Sequence, residues 1–412
     1  MGALTGIRVL DLSRVLAGPW CGQILADLGA EVIKVERPGS GDDTRGWGPP
    51  WMKDGQGQWT AEAAYYQSAN RGKHSVAVDL ATPQGQELVR ALVADCDVLI
   101  ENYKAGSLAR YGLDYQSLST LNPRLVYCSI TGFGQTGPRA AEPGYDFIIQ
   151  GMGGLMSITG ERDDLPGGGP QKTGVAFADL MTGLYATIAI QAALIDRQKT
   201  GHGQHCDMAL LDVQVATLAN QSMNYLASGK VPGRFGNAHA NIVPYQVFRA
   251  ADRDFIIACG NDSQFVALCQ VIGLPGLSAD PRFVRNADRV SHREELVEIL
   301  SAHFLTATAD EWVAAIHAVK VPVGAINNIA QALEEPQVQA RDMLVDLPHP
   351  LNPAFSMVGS PIKLSASPVE YHRPAPMLGQ DTDAVLRERL GLSDEQLAGL
   401  KELGIIEQSP SS

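Results

Sequence analysis

The chain has 412 residues, 45% of them hydrophobic and 19% charged, a balance that fits a folded enzyme, not a disordered chain, and a length that exceeds one ordinary core. The formal net charge of −13 argues against a fold-wide nucleic-acid interface, because phosphate backbones require a positive surface, although a few local Arg and Lys residues can still hold one anionic ligand. Six cysteines without CxxC spacing and nine histidines without HExxH predict reduced, buried thiols in a cytoplasmic protein and no metal centre.

The N-terminal residues lack the basic region of a signal peptide, and no run of ~20 uninterrupted apolar residues predicts a membrane span. Residues 7–12 read as a buried strand. Gly18-Pro19 opens a helix to Leu28, and Gly29 supplies its left-handed end. Strands follow at 31–35 and, after a long polar loop, at 75–80. Thr82 caps a helix over 83–94, and further strands lie at 97–100 and 125–130. Strands alternating with helices in this way predict an α/β fold built on a parallel sheet.

A glycine- and proline-rich loop over 151–174 leads into an apolar helix at 177–197, a turn at 200–203 and a second long helix at 210–227. Residues 229–329 carry their own strand at 254–259 and helices at 263–272, 293–304 and 309–319, and read as a smaller α+β domain. The proline-rich tail ends in two short helices, 381–390 and 393–403, with too little apolar length to fold alone. The predicted organisation is a large domain over 1–200 completed by 330–412, a linker helix at 201–228 and a small domain at 229–329, with 408–412 frayed.

Three features carry chemistry. The first is KTGVAFADLMTG at 172–183, where Asp179 stands near a helix start. On the residues alone this carboxylate reads equally as a cap or as a reactive group whose charge the helix N-terminus stabilises. The second is GFGQTGP at 132–138 after a strand, a weak match to a phosphate-cradling loop because its third glycine falls one residue late. The third is the set Arg37, Arg45, Arg71, Lys73, Asn102 and Arg110 at strand ends, each of which reads alone as a surface residue and together as a grip on an adenosine phosphate.

Several segments in one order resemble the class III CoA-transferases, the formyl-CoA transferase group. They are RVLDLSRVLAGP at 8–19, ADLGAEVIKVERP at 26–38, NRGK at 70–73, ENY at 101–103, NPRLVY at 122–127, PGYD at 143–146, Asp179, TGHGQ at 200–204 and LGQDT at 378–382. The resemblance implies a Rossmann-like large domain, a smaller α+β domain and an interlocked homodimer. It implies that Asp179 is the nucleophile, passing CoA through an aspartyl-CoA thioester. It further implies that Leu16, Arg37, Asn102, Tyr103 and Arg110 contact CoA, that Val78, Asp79, Leu80 and Ala81 run along it, and that Tyr145 binds it near the acyl group. CoA would be a substrate, and no further cofactor is implied.

Two departures argue against a formyl or oxalyl substrate: Leu16 replaces a glutamine, and GNAHANIVPY at 236–245 replaces a mobile glycine run. Racemases related to this family carry a histidine where Tyr145 stands, and a phenol with a pKa near ~10 is a poor acid–base partner at neutral pH. GNAH at 236–239, IVPYQ at 242–246, VPVGAINN at 321–328 and EPQV at 335–338 resemble the branch that passes CoA from succinyl-CoA to glutarate. A dicarboxylate needs a second grip on its distal end, for which His239, Arg14 and Arg45 are the candidates. Itaconate, malate or oxalate as acceptor, an α-methylacyl-CoA racemase, and a non-catalytic CoA-binding protein remain the alternatives.

Overall fold

The computed structural model describes residues 1–409. The chain divides into two compact units: one comprises Met1–Leu155, Thr173–Met223 and the chain from Gln337 on, the other Met156–Lys172 and Asn224–Pro336. The second unit thus takes in part of the 151–174 segment as well as the stretch assigned to it from sequence.

The first unit is built on a seven-stranded sheet: β1 (Arg8–Asp11), β2 (Glu31–Glu36), β3 (Lys73–Val78), β4 (Val98–Glu101), β5 (Val126–Thr131), β6 (His205–Ala209) and β7 (Ile406–Glu407). The order across it is β7-β3-β2-β1-β4-β5-β6, all parallel except the short edge strand β7. Strands three, two, one, four, five and six in that order are the Rossmann arrangement, whose ligand crevice opens between β1 and β4 at the carboxyl ends of the strands. Both faces of the sheet are covered, so the middle positions of its central strands are apolar and buried: Val9 and Leu10, Val32 and Ile33, Leu99 and Ile100.

On one face α1 (Ala17–Asp27) and the 24-residue α4 (Phe177–Thr200) pack over Val9, Val32, Ile100 and Cys128. On the other, α2 (Pro83–Val93) and the helices Thr382–Leu390 and Asp394–Glu402 cover Leu10, Ile33, Val76 and Leu99. Thr82 caps α2 by accepting from the Gly85 amide at 3.0 Å. The tail therefore completes the large sheet's core: Val385, Leu386, Leu397, Ile405 and Ile406 are all buried in it.

Four differences from the sequence reading have physical causes. The region read as a linker begins with β6, a full member of the sheet, paired with β5 from Tyr127↔His205 to Thr131↔Ala209. The helix expected over 210–227 is two, Leu210–Ala216 and Ala219–Ser228, broken where Ala219 takes a positive φ of 47°. The loop expected from 151 starts inside a helix, α3 (Asp146–Met152). Gln408 is held, accepting from the Asp383 amide and donating to the Gln380 carbonyl, both at 2.9 Å; residues 410–412 of the segment expected to fray lie outside the described residues. In addition, α4 is long and apolar enough to cross a membrane by length and composition, yet Ala178, Ala186, Ile190, Ala193 and Leu194 on it are buried in the protein's own core.

The second unit holds a three-stranded antiparallel sheet with Asp254–Ala258 between Tyr245–Arg249 and Val323–Ala325. Helices Asp262–Val271, Arg293–Phe304 and Ala309–Ala318 close over Phe248, Phe255, Phe265, Phe283 and Phe304. Thr308 caps the last of these helices in a reciprocal box with Glu311.

Candidate active site

Two cavities open at the carboxyl ends of the strands of the first unit. One, of about 230 Å³, lies at the β1/β4 switch point and is walled by Leu16, Ala17, Asn102, Gly132, Tyr145 and Asp179 among others. The second, of about 410 Å³, lies beyond β2 and β3 and is lined by Arg37, Val78, Asp79, Leu80, Ala81 and Arg110 among others. Arg14, Asp43 and Tyr103 belong to both walls.

The β1–α1 turn forms one wall, and its conformation is imposed. Val15 sits at φ +71°, a region a β-branched residue avoids. The turn is held from two sides. Asn102 accepts from the Arg14 amide at 2.8 Å and donates to the Arg14 carbonyl at 2.6 Å. Asp42 takes the Val15 amide on both carboxylate oxygens at 3.2 Å. Asp42 is itself fixed by Lys34, 2.9 Å away and wholly buried, whose ammonium also donates to the Ser13 carbonyl at 2.7 Å. Burial alone would raise the Asp42 carboxyl, but Lys34 and the Thr44 hydrogen bonds outweigh it and hold it at about 2.

The opposite wall carries Asp179, in the first turn of α4. Two glycine contacts bring it there. A Cβ on Gly183 would lie 2.7 Å from the Ala17 carbonyl oxygen, so glycine lets α4 press against α1. A Cβ on Gly132 would lie 2.5 Å from the Gly144 Cα, so the loops after β5 and before α3 touch backbone to backbone. The second contact sets α3 beside the start of α4. Ala176, the residue before α4, makes no side-chain cap. Asp146 of α3 does so instead: its Oδ1 accepts from the Ala178 amide at 2.8 Å and, longer, from Asp179 at 3.4 Å, while its Oδ2 accepts from Gln150 at 2.7 Å.

The consequence reverses one sequence expectation. The helix amides that should have stabilised Asp179 as an anion are occupied by Asp146. Among the described residues the Asp179 carboxylate accepts no hydrogen bond, and burial, with Asp146 adding repulsion, pushes it up to about 7. It is a desolvated carboxylate facing a cavity, with no structural task as a cap.

The basic residues singled out at strand ends divide sharply. Arg37 and Arg110 are exposed and make no ion pair among the described residues; Arg110 lies over the Tyr111 ring. Arg45 does not reach either cavity. Its guanidinium is buried, donating to Glu36 at 2.8 Å twice and to the Pro376 carbonyl, and lying over Tyr66. Arg71 is consumed by a two-point pair with Asp27, and Lys73 by Asp11, Asn70 and the Pro19 carbonyl. Arg14 pairs with Asp43 at 2.9 Å, both about half exposed. His239 belongs to the second unit, where its Nδ1 accepts from the Asn241 amide at 3.0 Å and its ring lies near Tyr245. Among the described residues no group of three or more His, Cys, Asp and Glu is placed to hold a metal ion.

Asp146, Asp42 and Lys34 were not among the residues singled out. Asp146 left one trace in the sequence: the residues preceding α4 include no side chain at the cap position, so another element had to provide one.

A Rossmann-type sheet with a desolvated carboxylate at its switch point, beside a crevice lined by two guanidiniums that have no ion pair among the described residues, is the architecture of an α/β enzyme with room for an extended anionic ligand. Residues 4–382 match the family model described as CoA-transferase family III, and the chain belongs to that family: it is a CoA-transferase. It is 54% identical to a succinate–glutarate CoA-transferase of Agrobacterium fabrum over 93% of this chain and 95% of that protein. It is 42% identical to the succinyl-CoA:glutarate CoA-transferase of Homo sapiens over 98% and 90%. A crystal structure of a CAIB/BAIF family protein from Brucella suis superposes with a TM-score of 0.83 at 50% identity, over 94% of this chain and 99% of that one.

Proposed function

We propose that the enzyme moves CoA from succinyl-CoA to glutarate, with Asp179 as the covalent carrier. The observation that carries this reading is the carboxylate of Asp179, which faces the switch-point cavity and accepts no hydrogen bond among the described residues. Its oxygen attacks the succinyl thioester carbonyl, the C–S bond breaks, and a mixed anhydride forms as the CoA thiolate leaves. The thiolate then attacks the aspartyl carbonyl, expelling succinate and leaving an aspartyl-CoA thioester. Glutarate repeats the two steps in reverse, and glutaryl-CoA departs from a regenerated carboxylate. An anhydride preserves the thioester's energy only if water is kept out, which suits a buried group on a helix packed against α1.

In this reading Arg37 and Arg110 take the phosphates of CoA, and Val78, Asp79, Leu80 and Ala81 follow its length. Leu16, Asn102, Tyr103 and Tyr145 shape the cavity toward the acyl end. Arg14, which belongs to both walls, is the cation left for the distal carboxylate once Arg45 is bound to Glu36. The family's homodimer is supported by apolar side chains left outward on the first unit: Phe147 and Ile148 on α3, and Leu184, Tyr185, Ile188 and Ile195 on α4.

The test is transfer from succinyl-CoA to a panel of C2 to C6 acids. Glutarate should give the highest kcat/KM, Asp179→Ala should lose transfer by at least about a thousandfold, and intact-mass analysis should find a CoA adduct on the wild-type chain alone. Full activity in Asp179→Ala would end the mechanism; preference for oxalate or malate would end the acceptor assignment.

A further inference from the structure

Behind the loop that separates the two cavities stands a polar row that the reaction does not use. Glu101, the last residue of β4, is in register with Ser129 of β5, and Ser129 with Asp207 of β6. Glu101 is only 5% exposed, and among the described residues it has no ion pair. In this it differs from the buried carboxylates Asp11 and Glu36 of the sheet and Asp42 of the segment after β2, each of which faces a Lys or Arg. A buried acid without a cation is costly, and a leucine or glutamine would fill the space.

Its bonds show where it acts. Its Oε2 accepts from the Tyr103 amide at 2.8 Å, and Ser129 stands beside it in register on β5. Ser129 in turn meets His205 Nε2 at 2.9 Å, and the His205 ring stacks on Tyr115 at 5.1 Å. The residue between Glu101 and Tyr103 is Asn102, whose amide holds both backbone groups of Arg14 and so the strained Val15 turn. Whatever fixes Glu101 therefore fixes the wall common to both cavities.

We propose that Glu101 is a positioning residue that, through the Tyr103 amide and the Ser129 hydroxyl, sets the Asn102–Tyr103 loop and with it the β1–α1 turn against which CoA lies; this rests on the reading that CoA occupies these two cavities. Burial pushes its carboxyl up to about 7; Ser129 and Tyr103 pull the other way, and Asp207 adds repulsion. The remaining charged or titratable groups around this row are His205 and Tyr127, Lys104 of the loop itself, and Asp114 and Tyr115 across the same small cavity.

The experiment compares Glu101→Ala, Glu101→Gln and Ser129→Ala in the full-length enzyme. It measures the Kd of free CoA, the KM of succinyl-CoA and of glutarate, kcat and Tm. Glu101→Ala should weaken CoA and raise the succinyl-CoA KM at least tenfold with under threefold change in the glutarate KM. Glu101→Gln, which keeps an acceptor for Tyr103 and a donor for Ser129, should return both to within threefold of wild type. Ser129→Ala should lie between and serves as the reporter if Glu101→Ala does not fold. Unchanged CoA affinity in folded Glu101→Ala or Ser129→Ala, or a lowered Tm with normal KM values, would overturn the proposal. Glu101→Gln as impaired as Glu101→Ala would overturn it too. If wild type binds no CoA, the placement of CoA in the cavities fails and this proposal with it; if wild type binds and the variants bind equally, only this proposal fails.

Discussion

Two sets of charged residues belong to the unit built on the large sheet, and they differ in what answers them. In the floor, the packed interior of that unit, Lys34 meets Asp42, Lys73 meets Asp11, Arg45 meets Glu36 and Arg71 meets Asp27, all buried. At the rim, Arg37 and Arg110 meet no carboxylate, and Asp179 accepts no hydrogen bond, among the described residues. Residues of both sets lie within the family-like segments, Lys34 and Glu36 beside Arg37 among them, and composition alone does not separate them. The lesson is that partner geometry sorts them: a charge satisfied inside the protein holds shape, whereas a charge left unanswered beside a cavity is available to a substrate.

The contrast breaks first if a floor pair proves dispensable. Asp42→Ala should destabilise by about 3–5 kcal/mol in urea unfolding, because Lys34 is left charged and buried. The paired replacement Lys34→Met with Asp42→Leu should cost less than the single change, since no charge is stranded, while still freeing the Val15 turn. Acid gives a second reading of the same pair. The Asp42 carboxyl is depressed in the fold, so its contribution is present above its unfolded pKa of ~3.9 and is lost as pH falls through about 2. The gap between wild type and Asp42→Asn should narrow across that window. A single substitution costing under 1 kcal/mol would remove the distinction between floor and rim.

The rim should respond in the opposite currency of measurement, affinity without stability. Arg37→Ala and Arg110→Ala should each raise the succinyl-CoA KM by about ten- to a hundredfold, the range of a charge-assisted bond to phosphate, and leave Tm within a degree or two. The wild-type KM should rise with salt more steeply than that of either variant. A Tm loss as large as that of Asp42→Ala would place these arginines with the floor.

Much of this fold was legible before any geometry. The alternation of apolar strands with capped helices gave the parallel sheet, and Thr82-Pro83 marked α2 to the residue. Short edge elements were not: β7 is two residues long, and β6 mixes His205, Cys206 and Asp207 into a strand whose pairing, more than its pattern, defines it. At the site, Asp179 stood out by its segment, and the residues assigned to CoA do line the two cavities. Arg45 did not follow, because its partner Glu36 ends the strand before it and the turn between them folds the guanidinium inward. Nothing local in a sequence marks an arginine as paired across nine residues. Asp146 was hidden for a related reason, since the helix amide it caps lies 32 residues away.

That hidden cap supplies the smallest and most discriminating prediction. Asp146 gives α4 an oxygen and gives Asp179 a neighbouring charge, and Asp146→Asn separates the two: Asn Oδ1 can still accept from the Ala178 amide, but the repulsion is gone. Burial, the larger cause of the raised Asp179 pKa, stays, so the carboxyl should fall from about 7 but stop short of its ordinary value. The reactive form is the anion, so log kcat/KM for succinyl-CoA should climb with pH through about 7 in wild type and through a lower value in Asp146→Asn. At pH 6 the variant would then hold a larger fraction of its own plateau rate than wild type does. Asp146→Ala should show the same shift together with about 1 kcal/mol of lost stability from the missing cap. A limb that stays in place in both variants would mean that the group titrating in the rate profile is not Asp179, and that the unanswered charge at the rim is not the one that reacts.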